Sequence, residues 1–141
     1  MSDAVIIPDL QSSLLCDDVR QERNGKFILI GLFDVLNVPA FPAAFHRLCI
    51  VNRWCCGEGE FVQKSRILKS DGITPLIEGK QVRVKLPDSE ATATSVEFFM
   101  NVRFEKEGTY WIEILLDEDL KLRYPLKARC IRPRQGRSEV A

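Results

Sequence analysis

The feature that most constrains the fold of this chain is the Asn24-Gly25 pair, which separates two apolar-rich segments. Asn-Gly between strand-like runs is the strongest short-range signal for a β-hairpin, because a two-residue type I′ turn needs positive φ at both central positions. The sequence therefore predicts a long hairpin over residues 14–36. Closure on two residues sets a register in which Arg23 faces Lys26 and Val19 faces Ile30.

The second half of this hairpin, FILIGLFDVL, carries apolar side chains at both odd and even positions. A strand that is apolar on both faces is normally covered on both faces. We therefore expect residues 27–36 to form a central strand of a sheet.

Later segments alternate apolar and polar residues, and the clearest half-buried strand spans residues 96–105. Its predicted core-facing side chains are Val96, Phe98, Met100, Val102 and Phe104. The last strand contains Pro125, which has no N–H to donate to a neighbour. We therefore expect the last strand to lie at the edge of a sheet.

Two short loops predict two further hairpins among the last three strands. The first loop covers residues 106–108, with Gly108 at the left-handed position that three-residue hairpins favour, and the second covers residues 118–120. These turns place Phe99 beside Leu115. They also place Trp111 between Arg103 and Lys127, and Phe104 beside Tyr110.

About eight short strands separated by turn signals, with no helical periodicity, predict an all-β fold. We expect an immunoglobulin-like antiparallel β-sandwich, and a closed barrel stays open as the alternative. A chain of 141 residues is long enough for one domain with its own core. The prediction is a single sandwich over residues 1–131, followed by a disordered tail at 132–141 that lacks an apolar period.

Three segments carry a resemblance to a known family: the run LLCDDVRQERNGKFILIGLFDVL, the Pro-rich AFPAAFH that follows it, and the later GTYWIEILLDEDLKLRYPLKA. They resemble the corresponding segments of a family of short bacterial proteins known only as a domain of unknown function. The resemblance implies a compact β-sandwich. It brings no activity, cofactor or catalytic residue with it.

The charge balance and the absence of targeting signals disfavour nucleic acids and membranes as partners. The chain has 20 basic and 20 acidic residues, a balance that argues against a dedicated nucleic-acid or membrane-surface protein. Its first residues lack the basic and apolar regions of a secretory signal, and no apolar run approaches the roughly 20 residues of a membrane helix. We expect a cytoplasmic protein with no membrane partner.

Five cysteines without framework spacing predict free, mostly buried thiols. Zinc ligation by His46, Cys49, Cys55 and Cys56 is the sharpest metal hypothesis. On a continuous strand His46 and Cys49 point to opposite faces, as do the adjacent Cys55 and Cys56, so the four side chains do not converge. No metal or cofactor is therefore expected. A vicinal disulfide between Cys55 and Cys56 is disfavoured because it needs a distorted peptide and the chain lacks CxxC-type activation.

Three carboxylates, Asp17, Asp18 and Asp34, lie near one end of the first hairpin, where paired acids could serve acid-base chemistry or bind calcium. Calcium normally uses a loop rich in acidic residues and glycine, which this hairpin lacks. We expect instead an ion pair of Asp18 with Arg20.

Catalysis is not expected, because the chain has one histidine, no recognisable nucleophile elbow and no glycine-rich phosphate loop. The sequence favours a non-enzymatic interaction or scaffold module that binds another protein or itself, as a homodimer. The alternative is a small-ligand-binding sandwich with a pocket near residues 39–45.

The candidate interface lies on the predicted outer face of the last three strands, where Trp and Arg on a polar-rimmed apolar patch match the composition of interface hot spots. Its residues are Phe99, Arg103, Trp111, Leu115, Arg123 and Lys127. The alternative interpretation is that Trp111, flanked by cations, covers its own sheet.

Overall fold

The computed structural model describes residues 5–131, and within that range it contains ten β-strands and no helix. The strands are β1 (Asp9–Gln21), β2 (Phe27–Phe33), β3 (Val35–Val38), β4 (Ala43–Cys55), β5 (Gly59–Leu68), β6 (Pro75–Glu78), β7 (Val82–Leu86), β8 (Thr92–Phe104), β9 (Gly108–Leu116) and β10 (Asp119–Cys130). Accordingly, no helix within 5–131 could cross a membrane. The predicted tail at 132–141 lies outside the described residues.

The strands form two sheets whose inner faces share one hydrophobic core. Strand order is β2-β1-β4-β8 in the four-stranded sheet and β3-β10-β9-β5-β6 in the six-stranded sheet, where β7 also pairs with β5. Every pair is antiparallel except β3 with β10. The predicted all-β sandwich is confirmed, with ten strands instead of about eight.

The core forms because alternate side chains of both sheets point inward. Trp54 and Phe104 of the four-stranded sheet are fully buried, as are Ile112 and Leu126 of the six-stranded sheet. Complete burial of such a side chain contributes roughly 1.5–3 kcal/mol. Phe104 also contacts Tyr110 edge to face, with ring centroids 4.8 Å apart, a geometry that aromatic rings favour.

A buried polar network crosses the core between the two sheets. The Trp54 indole donates to Gln63 Oε1 at 2.7 Å, and Gln63 Nε2 donates to Glu97 Oε1 at 3.0 Å. Burial raises the pKa of the Glu97 carboxyl above its ordinary value, while hydrogen bonds from Ser65 and Gln63 act in the opposite direction. The core therefore contains an acid whose neutral form is favoured by folding.

The first hairpin exists, but its predicted register is wrong by one residue. Val19 pairs with Leu29, and the Glu22 amide donates to the Lys26 carbonyl, so the loop has three residues, 23–25, and not two. Only Gly25 has positive φ, at 93°, and the Asn24 side chain accepts a hydrogen bond from the Lys26 amide at 2.9 Å. Asparagine thus stabilises a type I turn followed by a glycine bulge, the three-residue alternative to the type I′ turn.

The predicted pairing of β8 with β9 is wrong, because the two strands belong to different sheets. The loop at 105–107 crosses from one sheet to the other, so Phe104 meets Tyr110 across the core instead of along a ladder. Phe99 is buried at 4% exposure, whereas Phe98 and Met100 are exposed at 49% and 43%. The left-handed backbone at Asn101, with φ of 54°, reverses which alternate side chains of β8 face the core. The predicted inner face is therefore correct only for Val102 and Phe104.

The hairpin between β9 and β10 closes on Asp117 and Glu118, not on residues 118–120. Both residues have positive φ, as a two-residue type I′ turn requires. Asp117 accepts a hydrogen bond from the Val62 amide at 2.9 Å, and its own amide donates to the Val62 carbonyl at 2.8 Å. Contacts with β5 therefore hold a turn that lacks glycine.

The edges of the sheets differ from the prediction in one important respect. Strand β2 lies at the edge of the four-stranded sheet and not at its centre. Strand β10 is an edge along the part that contains Pro125, as predicted, but its residues 127–130 pair with β3.

We predict that Glu97→Gln raises the unfolding midpoint at pH 8 and leaves it nearly unchanged at pH 4. A group whose pKa is raised by folding stabilises the folded state at pH values below its unfolded-state pKa. This stabilisation is lost as the pH rises through the folded-state pKa. Glutamine keeps the shape of the side chain without the charge. Urea denaturation at both pH values measures the difference.

The matched control is Glu78→Gln, because Lys64 lowers the pKa of the Glu78 carboxyl. A group whose pKa is lowered by folding stabilises the folded state at pH values above its unfolded-state pKa. Glu78→Gln should therefore lower the unfolding midpoint slightly at pH 8 and not at pH 4. Equal pH dependence in both variants would contradict the assignment of Glu97.

Candidate interaction surface

The six residues of the predicted interface do not form one surface. Phe99 lies in the core, and Arg103 lies on the four-stranded sheet, where it pairs with Glu105 at 2.7 Å. The others lie on the six-stranded sheet, in strands β9 and β10: Trp111, Leu115, Arg123 and Lys127. Within that sheet Trp111 pairs with Pro125, so it does not lie between Arg103 and Lys127.

Trp111 is half-buried beneath a network of ion pairs. The Arg123 guanidinium carbon lies 5.0 Å from the Trp111 ring centroid, and Arg123 also donates to the Gly72 carbonyl at 3.2 Å. Glu113, which is only 4% exposed, accepts from Arg66 at 2.7 Å and lies 3.3 Å from Arg123. Trp111 therefore covers its own sheet, the alternative interpretation of this residue, and its cations are engaged within the chain.

A different surface arises where the first hairpin leaves the four-stranded sheet. Strand β1 pairs with β4 only as far as Cys16 with Cys49. A straight hairpin would carry its turn roughly 30 Å beyond Ser12, since a strand rises about 3.3 Å per residue. Instead Gly25 and Lys26 line the same groove as Ser12 and Thr94. The hairpin therefore folds back over the outer face of its own sheet, and we call residues 17–31 the flap.

The bend at the base of the flap is built from Asp17 and Gly31. Gly31 has φ of 71°, and the Asp17 side chain occupies the space that a Cβ at position 31 would fill. Glycine reaches this backbone conformation without the steric cost that other residues meet. The sequence thus specifies a sharp turn in the middle of an otherwise regular strand.

A small second core lies beneath the flap. Cys16, Cys49 and Val51 are buried there, and Val19 and Leu29 of the flap pack against them. Burial raises the pKa of the Cys49 thiol to about 12. The flap therefore gives the outer face of the four-stranded sheet a third layer.

An ion-pair cluster fixes the flap to the sheet. Asp18 lies 3.3 Å from Arg20, the pair expected from the sequence, and 2.6 Å from Arg47 of β4. The Arg47 guanidinium also lies over the Phe98 ring, 5.4 Å from its centroid. Hydrogen bonds from the Val19 amide and these cations lower the pKa of the Asp18 carboxyl. The acidic group thus has a structural partner on each side.

The free edge of β2 runs along the outside of the flap. The Glu22 amide donates to the Lys26 carbonyl, which makes this pair a hydrogen-bonded site. Because such sites alternate in an antiparallel pair, the amides of Ile28 and Ile30 point to β1, and those of Phe27 and Leu29 point outward. No described strand pairs with this outer edge.

The side chains along this edge are apolar and accessible. Phe27, Ile28 and Ile30 are 40–44% exposed, and Leu32 is 62% exposed. Strand β2 contains no charged residue and no proline, the two devices that most often protect an edge from pairing with another chain. Sequence pattern alone missed this surface, because a strand apolar on both faces is typical of a sheet centre. The signal that could have corrected it is Gly31, since glycine inside a strand marks a bend.

The proposed zinc ligands do not converge. Cys49 lies in the second core, Cys55 and Cys56 lie at the far end of β4, and His46 is exposed near its beginning. Residues 5–131 contain no group of three or more His, Cys, Asp or Glu side chains arranged to hold a metal ion. Two of the five free thiols are buried, those of Cys16 and Cys49, which is fewer than expected.

Ligand-sized space occurs away from the predicted pocket. Phe41 and Phe45 of the 39–45 segment pack against the main core. A groove of about 400 Å³ lies between β1, β2 and β10, where Ser13 and Tyr124 are joined by a 2.8 Å hydrogen bond. Burial raises the pKa of Tyr124 to about 12.

We predict that Gly31→Ala opens the flap and exposes the two thiols beneath it. The Cβ of an alanine at this position collides with the Asp17 side chain. The alanine must also adopt a left-handed backbone conformation, which costs about 1–2 kcal/mol. Cys16 and Cys49 should then react with an aromatic disulfide reagent at pH 8 much faster than in the wild type, because access and thiolate fraction both increase.

The matched control is Gly25→Ala, which imposes similar backbone strain at φ of 93° but has open space around the new methyl group. It should lower the denaturation midpoint without exposing Cys16 or Cys49. If both variants, or neither, expose the thiols while staying folded, the bend at Gly31 does not control the flap.

Comparison with known families places these elements in a wider group. A model for a family of unknown function, DUF6941, matches residues 11–129. No curated protein matches the chain. The matched segment includes the whole flap, both layers of the sandwich and all but the ends of β1 and β10. The chain therefore belongs to the DUF6941 family, whose function is unknown.

Proposed function

We propose that this protein is a non-enzymatic interaction module that binds an extended segment of another protein along the free edge of β2. The observation that carries the proposal is an exposed apolar edge without charge or proline. A segment that adds to such an edge forms main-chain hydrogen bonds, and its alternate side chains enter neighbouring pockets.

The backbone and the flanking groove favour a short apolar segment. Outward amides at Phe27 and Leu29 offer donors to a new strand, while the bend at Gly31 limits the straight edge to four residues. A groove of about 530 Å³ beside this edge is lined by Phe27, Leu29 and Leu14, among others. Main-chain pairing supplies affinity, and the groove supplies side-chain selectivity.

Other described edges are less suited to strand addition. Strand β3 buries its apolar side chains Leu36 and Val38. The free part of β10 contains Pro125 and Lys121. Strand β8 lies against β7 and is interrupted by the left-handed Asn101. Short strands, prolines, charges and bulges are the usual protection against edge pairing. The edge of β2 is protected only by its shortness.

We also propose that the sandwich is of the immunoglobulin type. The orders β1-β4-β8 and β10-β9-β5 correspond to strands A-B-E and G-F-C of that fold. Tyr110, near the start of β9, donates its hydroxyl to the Lys106 carbonyl at 2.6 Å. A tyrosine that bonds back in this way at the corner before strand F is a hallmark of the fold. On this interpretation the flap is an insertion between strand A and the rest of the domain.

The proposed compartment is the cytoplasm. Support comes from the cysteines, since all five are free. Free thiols, including the exposed Cys56, persist in a reducing compartment.

A second candidate function is small-molecule binding in the groove beside Tyr124. Its volume of about 400 Å³ lies within the range of roughly 300–1,000 Å³ that is usual for ligand sites. Native mass spectrometry of the purified protein distinguishes the two functions, because a bound metabolite would add a defined mass to the chain.

The experiment that tests the main proposal is photocross-linking in cells that express the protein. A photoreactive amino acid at Ile28, in the middle of the free edge, should give a discrete adduct with another protein. The matched control is Ile73, which is apolar and 79% exposed but lies in a turn of the other sheet. Ile28→Lys and Ile30→Lys should each reduce complex formation by placing a charge on the edge.

The result expected is an adduct from position 28 and none from position 73. Equal adducts from both positions, or none from position 28, would overturn the proposal.

A further inference from the structure

Cys55 is the last residue of β4 and Cys56 follows it, and their two side chains do not point to opposite sides as those of adjacent strand residues do. Successive side chains of a strand point to opposite faces. Cys56 instead has φ of 63°, and the two Sγ atoms lie only 3.6 Å apart. Left-handed backbone at a residue other than glycine costs roughly 1–2 kcal/mol. Strain of this kind is concentrated at functional sites.

The surrounding chain holds this turn in place. Cys55 pairs with Asp9 of β1 and with Thr92 of β8. On the other side of the turn, Ile6 and Glu58 exchange two backbone hydrogen bonds of 2.9 Å. The Cys56 thiol is exposed and that of Cys55 is half-buried. Two accessible thiols are therefore presented together on a fixed backbone.

We propose that Cys55 and Cys56 form a chelating site for a trivalent arsenical. The separation of the sulfurs is the first argument. Two sulfurs bound at about 2.3 Å to one centre lie roughly 3.3–3.8 Å apart when the angle at the centre is between a right angle and the tetrahedral value, and roughly 4.6 Å apart when the centre is linear. The 3.6 Å separation therefore fits a bent two-sulfur chelate and not a linear one.

The number of ligands is the second argument. Structural zinc takes four protein ligands, and the described residues offer no third Cys, His, Asp or Glu arranged with these two. A monosubstituted arsenical brings its own third substituent, so two thiols complete its pyramidal coordination. The site thus matches a ligand that needs two sulfurs and no more.

A direct disulfide between the two residues is less favourable than the chelate. Consecutive Cα atoms lie about 3.8 Å apart, whereas disulfides usually join Cα atoms roughly 4.4–6.8 Å apart. An inserted arsenic atom relieves this mismatch, because the sulfurs can keep nearly their present separation. The site is therefore a bridging dithiol and not a redox pair.

The reaction requires no oxidant. An arsenoxide, R–As=O, condenses with the two thiols to give R–As(S)₂ and one water molecule. Two As–S bonds form, the As=O bond breaks, and both thiol protons leave on the oxygen. Arsenic stays trivalent and sulfur is not oxidised.

Phenylarsine oxide is the probe, used on the full chain and followed by intact-mass spectrometry. The wild type should take up one phenylarsenic group that resists an excess of monothiol and is released by a small dithiol. The two test variants are Cys55→Ser and Cys56→Gly, and the glycine in the second tolerates the left-handed backbone angle of Cys56. Because neither variant can chelate arsenic, each should lose the adduct to monothiol roughly 100-fold faster than the wild type, or more. Cys130→Ser is the control and should behave like the wild type.

Persistence of the resistant adduct in Cys56→Gly would overturn the proposal and would indicate another thiol pair, such as the buried Cys16 and Cys49. A second result would also overturn the proposal. If dilute hydrogen peroxide removes two hydrogens from residues 55–56 faster than the arsenical binds at equal concentration, the geometry favours the disulfide over the chelate.

Discussion

The outer surface of the four-stranded sheet depends on the close contact between the Asp17 side chain and the backbone of Gly31. Because a Cβ at position 31 would occupy the space of that carboxylate, the strand can bend there only as glycine. The bend lays the flap across its own sheet, buries Cys16 and Cys49, and leaves β2 as a short free edge. One backbone position thus separates a short free edge from a long exposed strand that would invite aggregation.

Alternation along single strands could be predicted from the sequence, whereas the assignment of strands to sheets could not. Period-two alternation correctly placed Val102 and Phe104 of β8 in the core. The step from Phe104 to Tyr110 was ambiguous, because a hairpin and a crossing between sheets bring the same two rings together. Turn type was equally ambiguous at Asn24, whose side chain stabilises a three-residue loop as well as a two-residue one.

The candidate sites likewise depended on contacts between strands that the sequence pattern could not predict. The composition around Trp111 resembled an interface, but Arg123 pairs with Glu113 on the neighbouring strand and donates to Gly72, which is 51 residues away in sequence. Strand β2 has the composition of a buried central strand, and its place at the sheet edge leaves its apolar side chains exposed. Strand geometry predicts that the adjacent Cys55 and Cys56 point to opposite faces, whereas the left-handed backbone at Cys56 places the two sulfurs 3.6 Å apart. In each case tertiary contacts decided what local pattern left open.

Amide hydrogen exchange of β2, resolved residue by residue, tests the central claim that its outer edge is free. In the purified protein the amides of Phe27 and Leu29 should exchange far faster than those of Ile28 and Ile30, which bond to β1. This alternating pattern would establish both the three-residue register and the unpaired edge. Uniformly slow exchange across residues 27–30 would contradict the account, because it would mean that the edge is already covered.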